Sequence, residues 1–222
     1  MEDQEYPELR RHMVQLIAAY ADHAGGETGR QTLDGRVLEA MARVPRQEFV
    51  PYELRPYAYF DGPLPIGFEK TISQPFIAAL MTDLLDVRDG HRVLEVGTGL
   101  GYHAAVLAEL GGRVFTVEIV EELAEQAAEN LKGSGYTGYE ARIGDGSKGW
   151  MEHAPFDRIL VCAAPELIPP ALIAQLKPGG TMVVPAGVPG TQQLMCVDKN
   201  SAGKVSTREV LAVSFSPLEV AH

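Results

Sequence analysis

Hydrophobic positions in the first third of the chain recur at helical spacing over three stretches. Residues 45–75 show neither a helical nor a strand period, so we predict a long irregular segment there. An irregular stretch of this length inside a compact domain is usually functional. The predicted elements are a helix over 6–20, a loop over 25–29, a helix from its N-cap Asp34 to just before Pro45, and a helix from Pro75 onward.

From residue 92 onward, short apolar runs alternate with helical patterns. Strands are predicted over 92–96, 113–117, 139–143, 158–163, 181–185, 192–198 and 208–215, and helices over 102–110, 120–131 and 169–176. Strands that alternate with helices form a parallel, doubly wound sheet. The sequence therefore predicts an α/β fold with a mostly parallel seven-stranded sheet, N-terminal helices and a C-terminal β-hairpin.

The length of 222 residues fits one compact domain. Residues 1–75 are predicted to be the N-terminal helices and a loop that covers the substrate, packed on a ligand-binding core of residues 76–222. We expect the N-terminal helix to cover this core instead of mediating a dimer, so we expect a monomer.

The charge balance argues against several classes of partner. Net charge is −11, from 19 basic and 30 acidic side chains, and no Lys/Arg cluster is present, which disfavours nucleic acid. No run approaches the roughly 20 apolar residues that a membrane span needs. The chain begins with acidic and polar residues, unlike an export signal. We therefore expect a cytoplasmic protein without a membrane partner.

Cysteine and histidine spacing gives no sign of a metal site. Cys162 and Cys196 form no CxxC pair, and the six histidines show neither HxxxH nor HExxH spacing. Both cysteines are predicted to be small buried residues in strands. We expect no metal.

A glycine-rich turn follows the predicted strand 92–96 and opens a helix, which is where an α/β sheet binds a nucleotide-like ligand. Its glycines are spaced G-x-G-x-G, whereas dinucleotide enzymes use G-x-G-x-x-G. The turn resembles the first motif of S-adenosylmethionine-dependent methyltransferases. A NAD-dependent oxidoreductase is the alternative, although no hydride-transfer partner is evident. The resemblance implies cofactor contacts from Glu95, Gly97, Thr98, Gly99 and Gly101.

Two acidic residues follow the next strands. Glu118 ends the second strand, where a carboxylate can accept hydrogen bonds from both ribose hydroxyls, with Ile119 beside it. Asp145 and Gly146 follow the third strand, and the resemblance implies that Asp145 accepts from the adenine amino group. The alternatives are a helix N-cap for Glu118 and a turn-former for Asp145.

Further segments resemble one family within this class. Residues 44–51 (VPRQEFVP), 71–75 (TISQP), 154–157 (APFD) and 176–180 (LKPGG) resemble motifs of the protein-L-isoaspartate (D-aspartate) O-methyltransferases. The resemblance runs from about residue 37 to the C-terminus. It implies methyl transfer from S-adenosyl-L-methionine, leaving S-adenosyl-L-homocysteine, to the α-carboxylate of L-isoaspartyl and D-aspartyl residues in damaged proteins and peptides. Repair then proceeds through a succinimide.

The TISQP resemblance implies a catalytic role for Ser73 and ligand contacts from Thr71 and Ile72. A free α-carboxyl group has a pKa of about 3.3–3.7 and is already ionised at neutral pH, so no general base is required. Ser73 is expected to donate a hydrogen bond that orients the carboxylate. The alternative is a helix N-cap, because Pro75 follows in a first helical turn.

Some positions depart from the family's pattern. Glu69 and Lys70 place a charge pair before TIS, Leu100 and His103 lie where small or amide residues are common, and Ser216 alters the C-terminal motif. The charge pair motivates one alternative, a relative that esterifies a specific aspartate in a ribosomally made peptide. A binding module without chemistry is another, opposed by the presence of Ser73, Glu118 and Asp145.

Overall fold

A seven-stranded sheet forms the centre of the fold. The computed structural model describes residues 5–221, so Met1–Gln4 and His222 lie outside the described residues. The strands are β1 (Leu64–Gly67), β2 (Lys70–Ile72), β3 (Arg92–Val96), β4 (Arg113–Glu118), β5 (Tyr139–Ile143), β6 (Phe156–Val161), β7 (Leu176–Ala186), β8 (Gln193–Lys199) and β9 (Val205–Ala212). The sheet has the order β5-β4-β3-β6-β7-β8-β9, and β1 pairs with β2 in a separate hairpin.

Strands β3 to β7 pair in parallel, and β8 and β9 add an antiparallel hairpin at one edge. The predicted fold class is thereby confirmed. The chain winds from β3 to β4 and β5 on one side, then returns to β6 on the other. Ligands of open α/β sheets bind where the strand order reverses in this way, beside the carboxyl ends of the strands.

Helices cover both faces of the sheet. They are α1 (Tyr6–His23), α2 (Gly25–Thr28), α3 (Gly35–Arg43), α4 (Pro75–Leu85), α5 (Tyr102–Glu109), α6 (Glu121–Gly133) and α7 (Pro170–Gln175). Val93 belongs to the core shared with α1, α3, α4 and α5, whereas its neighbour Leu94 belongs to the core that includes Leu172 of α7. Successive residues of a strand point to opposite faces, so β3 contributes to both cores.

Helices α1, α3 and α4 bury one another's apolar faces. Met13, Ile17 and Ala21 of α1 are buried, and α1 contacts both α3 and α4. The Asp34 side chain caps α3 by accepting from the Arg36 amide at 2.9 Å, which confirms the predicted cap. No helix within residues 5–221 is long and apolar enough to cross a membrane.

The predicted irregular segment 45–75 contains more structure than its sequence pattern showed. It forms 3₁₀ helices at Arg46–Phe49 and Tyr52–Tyr57, then the β1–β2 hairpin. Pieces of three to six residues are too short to display a period. The predicted loop 25–29 likewise contains the short helix α2.

Boundaries of strands after β5 also differ from the prediction. Strand β6 spans Phe156–Val161, two residues earlier than predicted, so Cys162 follows this strand instead of lying within it. Strand β7 begins at Leu176 instead of 181, running through Pro178 and two glycines, and a register shift in its pairing with β6 accommodates them. Strand β9 spans Val205–Ala212, three residues earlier than predicted, because it pairs with β8 as soon as the five-residue turn 200–204 ends, with Val205 opposite Lys199.

Candidate active site

One cavity, about 920 Å³ including its open mouth, lies at the carboxyl ends of β3, β4 and β6. Three parts of the chain surround it: the glycine turn after β3, the β1–β2 hairpin, and the C-terminal segment, defined here as residues 213–221. The predicted site residues that line it are Thr71, Ile72, Ser73, Gly97, Thr98, Gly99, Glu118, Ile119 and Gly146. The remaining three, Glu95, Gly101 and Asp145, do not line it.

The glycine turn requires glycine for both conformation and space. Gly97 and Gly101 have φ of 91° and 95°, a left-handed region that other residues rarely adopt. A Cβ on Gly101 would approach Leu131 of α6 to 3.0 Å. Gly101 therefore allows α5 to start close against α6. This packing role explains why Gly101 does not line the cavity.

Glu118 holds the glycine turn and faces the cavity. One carboxylate oxygen accepts from the Gly99 amide at 2.8 Å, and the other accepts from the amides of Ile119 and Val120 at 2.9 and 3.1 Å. An ionised carboxylate has about two acceptor sites on each oxygen, so Oε1 is filled by its two amide partners and Oε2 keeps one site. Glu118 thus orders the turn and still presents one acceptor to a ligand.

Glu95 lies behind the cavity wall and acts on the turn indirectly. With Glu95 ionised, Thr116 donates to Glu95 Oε2 at 2.6 Å, and the Thr98 hydroxyl donates to Thr116 Oγ1 across 2.5 Å. The other oxygen, Glu95 Oε1, is buried without a partner among the described residues. Burial raises the pKa of Glu95 to about 8, although the Thr116 bond lowers it.

Asp145 has protein partners for both carboxylate oxygens. Oδ1 accepts from the Ser147 amide and hydroxyl, and Oδ2 accepts from the Ala221 amide at 3.3 Å and lies 3.3 Å from Lys148 Nζ. Burial raises its pKa, but these bonds outweigh burial and hold the pKa below its usual value. The turn-forming role is therefore present, and the contact with an adenine stays a prediction.

Ser73 reaches the cavity with its hydroxyl free of a capping role. Helix α4 begins at Pro75 after Gln74, and no side chain caps it. The fully buried Arg46 donates to the Ser73 carbonyl oxygen at 2.7 Å and to the Ala58 carbonyl oxygen at 2.8 Å. Arg46 of the VPR motif therefore fixes the backbone that carries Ser73.

The C-terminal segment closes one side of the cavity. Its residues 215–219 line the cavity, the Ser216 hydroxyl donates to the Glu69 carbonyl oxygen, and Lys70 pairs with Glu219. The charge of Lys70, a departure from the family's pattern, therefore has a partner within the chain. Lys70 and Ser216 were both recognised as departures from the family's pattern, but the sequence alone does not show that their segments contact each other.

Two further lining residues, His103 and Cys162, were not predicted as site residues. His103 lies in the first turn of α5, and Cys162 follows β6 directly. Burial lowers the pKa of His103 to about 4 and raises that of the Cys162 thiol. The only sequence signal was the unusual residue type at position 103.

The cavity combines backbone amides and carboxylate acceptors with apolar walls from Ile66, Leu100 and Leu123. This composition fits a nucleoside joined to an amino acid: acceptors for hydroxyl and ammonium groups, and walls for a ring. The fold and this cavity define an S-adenosylmethionine-dependent methyltransferase of the Rossmann-like class.

Comparisons with known proteins narrow this class. The protein-L-isoaspartate (D-aspartate) O-methyltransferase (PCMT) family model matches residues 27–221. Protein-L-isoaspartate O-methyltransferase 1 of a Polaromonas species is 56% identical over 222 residues, covering 100% of this chain and 94% of the relative. The chain belongs to the protein-L-isoaspartate (D-aspartate) O-methyltransferase family.

Solved structures agree on the fold. A protein-L-isoaspartate O-methyltransferase structure has a TM-score of 0.80 at 27% identity; the match covers 94% of this chain but only 65% of that one. A putative protein-L-isoaspartate O-methyltransferase from Plasmodium falciparum, solved with S-adenosyl-L-homocysteine, has a TM-score of 0.77 at 22% identity, covering 96% and 98%. The family and fold predicted from the sequence are confirmed.

Proposed function

We propose that this chain transfers a methyl group from S-adenosyl-L-methionine to the free α-carboxylate of L-isoaspartyl and D-aspartyl residues in damaged proteins and peptides. Family membership supports the reaction class. The observation that supports the site assignment is the position of the Ser73 hydroxyl. It does not cap helix α4, and it lies in the same cavity as the glycine turn and Glu118. The resulting ester closes to a succinimide, which reopens partly to aspartate.

The cofactor is proposed to lie along the glycine turn. Glu118 would accept hydrogen bonds from its ribose hydroxyls, Gly97 and Gly99 would let the backbone approach, and Thr71 and Ile72 would cover it from the hairpin. When bound, it supplies an electrophilic methyl group on a sulfonium. Thr98 and Glu95 would hold the turn in shape through the hydroxyl chain across Thr116.

The residues of the chain are proposed to orient the substrate carboxylate. Ser73 donates its hydroxyl proton as a hydrogen bond to one carboxylate oxygen and leaves the other free to attack in line, at about 3–3.5 Å. No proton has to be removed, because the carboxylate is ionised at neutral pH. Arg46 limits movement of Ser73 through its carbonyl oxygen. The apolar side chains of Ile66 and Leu218, which line the cavity, would keep water away from the reacting atoms.

The defining experiment measures methanol released from the methyl ester after reaction with matched peptides that differ only in isoaspartyl or aspartyl linkage. The isoaspartyl peptide should be methylated and the aspartyl peptide should not. Equal activity on both, or none on either, would contradict the proposal. A modifier of one peptide would fail on generic isoaspartyl peptides, and the comparisons favour the repair reaction over that alternative.

The remaining proposals concern the setting of this activity. We propose a cytoplasmic monomer that uses no nucleic acid, with residues 1–75 packed on the core formed by 76–222. Supporting a monomer, α1 buries its apolar face against α3 and α4 within the chain. Light scattering coupled to size-exclusion chromatography tests this, since a dimer would double the mass of 24.1 kDa.

A further inference from the structure

Three side chains of different chemistry meet beneath the cavity floor. Glu95 comes from β3, His103 from α5 and Cys162 from the residue after β6. One potential ligand atom of each lies within 4.8 Å of the others. They are 8 and 59 positions apart in sequence, so no local spacing motif could reveal them. We propose that they form a binding site for a thiophilic divalent cation of the Zn²⁺ class.

The hydrogen bonds of His103 leave its Nδ1 available as a ligand. The Thr82 hydroxyl donates its single proton to the Ala78 carbonyl oxygen at 2.7 Å, and Thr82 Oγ1 lies 2.8 Å from His103 Nε2. Nε2 must therefore carry the proton and donate it to Thr82. The lone pair of Nδ1 then faces Cys162 Sγ at 3.7 Å. A second partner that fixes the tautomer is typical of histidines that bind metals.

The distance of 3.7 Å between Cys162 Sγ and His103 Nδ1 fits a tetrahedral metal site. Zn²⁺ bonds of about 2.3 Å to sulfur and 2.0–2.1 Å to nitrogen place those atoms about 3.5 Å apart. The third ligand is Glu95 Oε1, an oxygen on a fully buried side chain that has no partner within residues 5–221. The ligand atoms lie within 4.8 Å of one another, so the Glu95 oxygen must move by at most about 1.3 Å to reach the roughly 3.5 Å spacing of tetrahedral ligands.

The charges and access also suit a divalent cation. A thiolate and a carboxylate neutralise two positive charges, and the imidazole stays neutral. Binding displaces the thiol proton of Cys162 and the proton of any neutral Glu95, and both leave to solvent. His103 and Cys162 line the cavity but Glu95 does not, so the fourth coordination position opens toward the cavity. A cation can therefore enter without opening the core.

Cobalt spectroscopy tests the site directly, because a thiolate bound to Co²⁺ gives a ligand-to-metal absorption band in the near ultraviolet. The metal-stripped full chain should bind one equivalent of Co²⁺ with this band, and Zn²⁺ should abolish it. Cys162→Ser should lose the band. Cys196→Ser, which removes the other cysteine on β8, should retain it.

A competition assay with a chromophoric chelator measures Zn²⁺ affinity. His103→Gln should weaken Zn²⁺ binding at least tenfold, whereas His12→Gln on the exposed face of α1 should not change it. Thermal unfolding checks that each variant is folded. No band in the wild type, a band of equal size in Cys162→Ser, or unchanged Zn²⁺ affinity in His103→Gln would each overturn the proposal.

Discussion

The roles of individual side chains depend on which way they point, and sequence motifs carry that information unevenly. Ser73 was identified by the resemblance of TISQP to the family's motif, and Glu118 by its place at the end of β4, the edge of the sheet where ligands bind. Glu95 belongs to the same motif as Gly97, yet it points behind the wall. Its orientation follows from the alternation of side chains between the two faces of β3, which a sequence motif does not show.

Ser73→Ala tests the orienting role at the scale of one hydroxyl. Removing it should lower kcat by about tenfold or more, because the carboxylate loses the donor that aligns it. Affinity for S-adenosyl-L-homocysteine, measured by calorimetry, should stay within about twofold. Ser206→Ala, at an exposed position on β9, is the matched control and should leave both unchanged. Parallel losses of kcat and of cofactor affinity would refute the role.

Glu118 variants separate ligand binding from support of the turn. Glu118→Ala should weaken S-adenosyl-L-homocysteine binding at least tenfold, because it removes acceptors and releases the amides of Gly99 and Ile119. Glu118→Gln keeps one acceptor oxygen and should lose less. The exposed Glu121→Gln on α6 serves as control. If calorimetry finds wild-type affinity for Glu118→Ala, the ribose assignment is wrong.

At the scale of elements, the hairpin and the C-terminal segment depend on each other. The hairpin turns through Phe68 and Glu69, both at positive φ, a conformation that bulky residues rarely adopt without support. The Ser216 bond to the Glu69 carbonyl oxygen and the Lys70–Glu219 pair provide it. Neither contact was predictable, because about 147 positions separate the partners and no periodic pattern spans such a distance.

A charge swap tests this connection. Lys70→Ala and Glu219→Ala should each speed release of S-adenosyl-L-homocysteine by less than about fivefold, because half-exposed ion pairs contribute about 1 kcal/mol or less. The double variant should be no faster than either single one, and the Lys70→Glu/Glu219→Lys swap should restore the wild-type rate. Stopped-flow measurement at low and high salt checks this, since salt should erase the differences. Additive effects would rule out the coupling.

At the scale of the whole molecule, the parallel core was predictable because its strands are continuous apolar runs bounded by turns. Strand β3 matches its predicted limits, at Arg92–Val96, and β4 extends the predicted strand by one residue, to Glu118. The limits of β7 and β9 did not match, since the pairing with neighbouring strands decides whether a strand continues through glycines and where a hairpin strand begins. The metal-ligand cluster escaped prediction for a related reason: its members meet only through sheet order.

Asp157 of β6 accepts hydrogen bonds from residues of β3 and β7, and its ionisation makes the free energy of unfolding depend on pH. It accepts from Lys177 at 2.7 Å and from the Arg92 amide at 3.0 Å. Burial raises its pKa, but these partners outweigh burial and lower it below 3.8. Its stabilisation is therefore complete above the unfolded pKa and is lost as pH falls through the lower folded pKa.

Asp157→Asn should reduce the free energy of unfolding by about 1 kcal/mol at pH 7. The difference from wild type should begin to shrink as pH falls through 3.8, where the carboxyl group of the unfolded chain takes up its proton, and should be lost below the lower pKa of the folded state. Urea unfolding at pH 7 and pH 3 checks both values, with the exposed Asp22→Asn on α1 as control. A difference that stays constant with pH would exclude the ionised carboxylate as its source.

The C-terminal segment is held by fewer hydrogen bonds than the sheet, so it should open more often than the sheet does. Its backbone forms two hydrogen bonds with Ala164: the Ala164 amide donates to the Ser216 carbonyl oxygen at 2.8 Å, and the Leu218 amide donates to the Ala164 carbonyl oxygen at 2.9 Å. A few other contacts add to these, whereas β3 is hydrogen-bonded to strands on both sides. Its amide hydrogens should exchange with deuterated solvent long before those of β3, through a local fluctuation that leaves the sheet intact. We therefore expect a large nucleoside to enter and leave the cavity while the protein stays folded, with opening of the C-terminal segment limiting the turnover frequency.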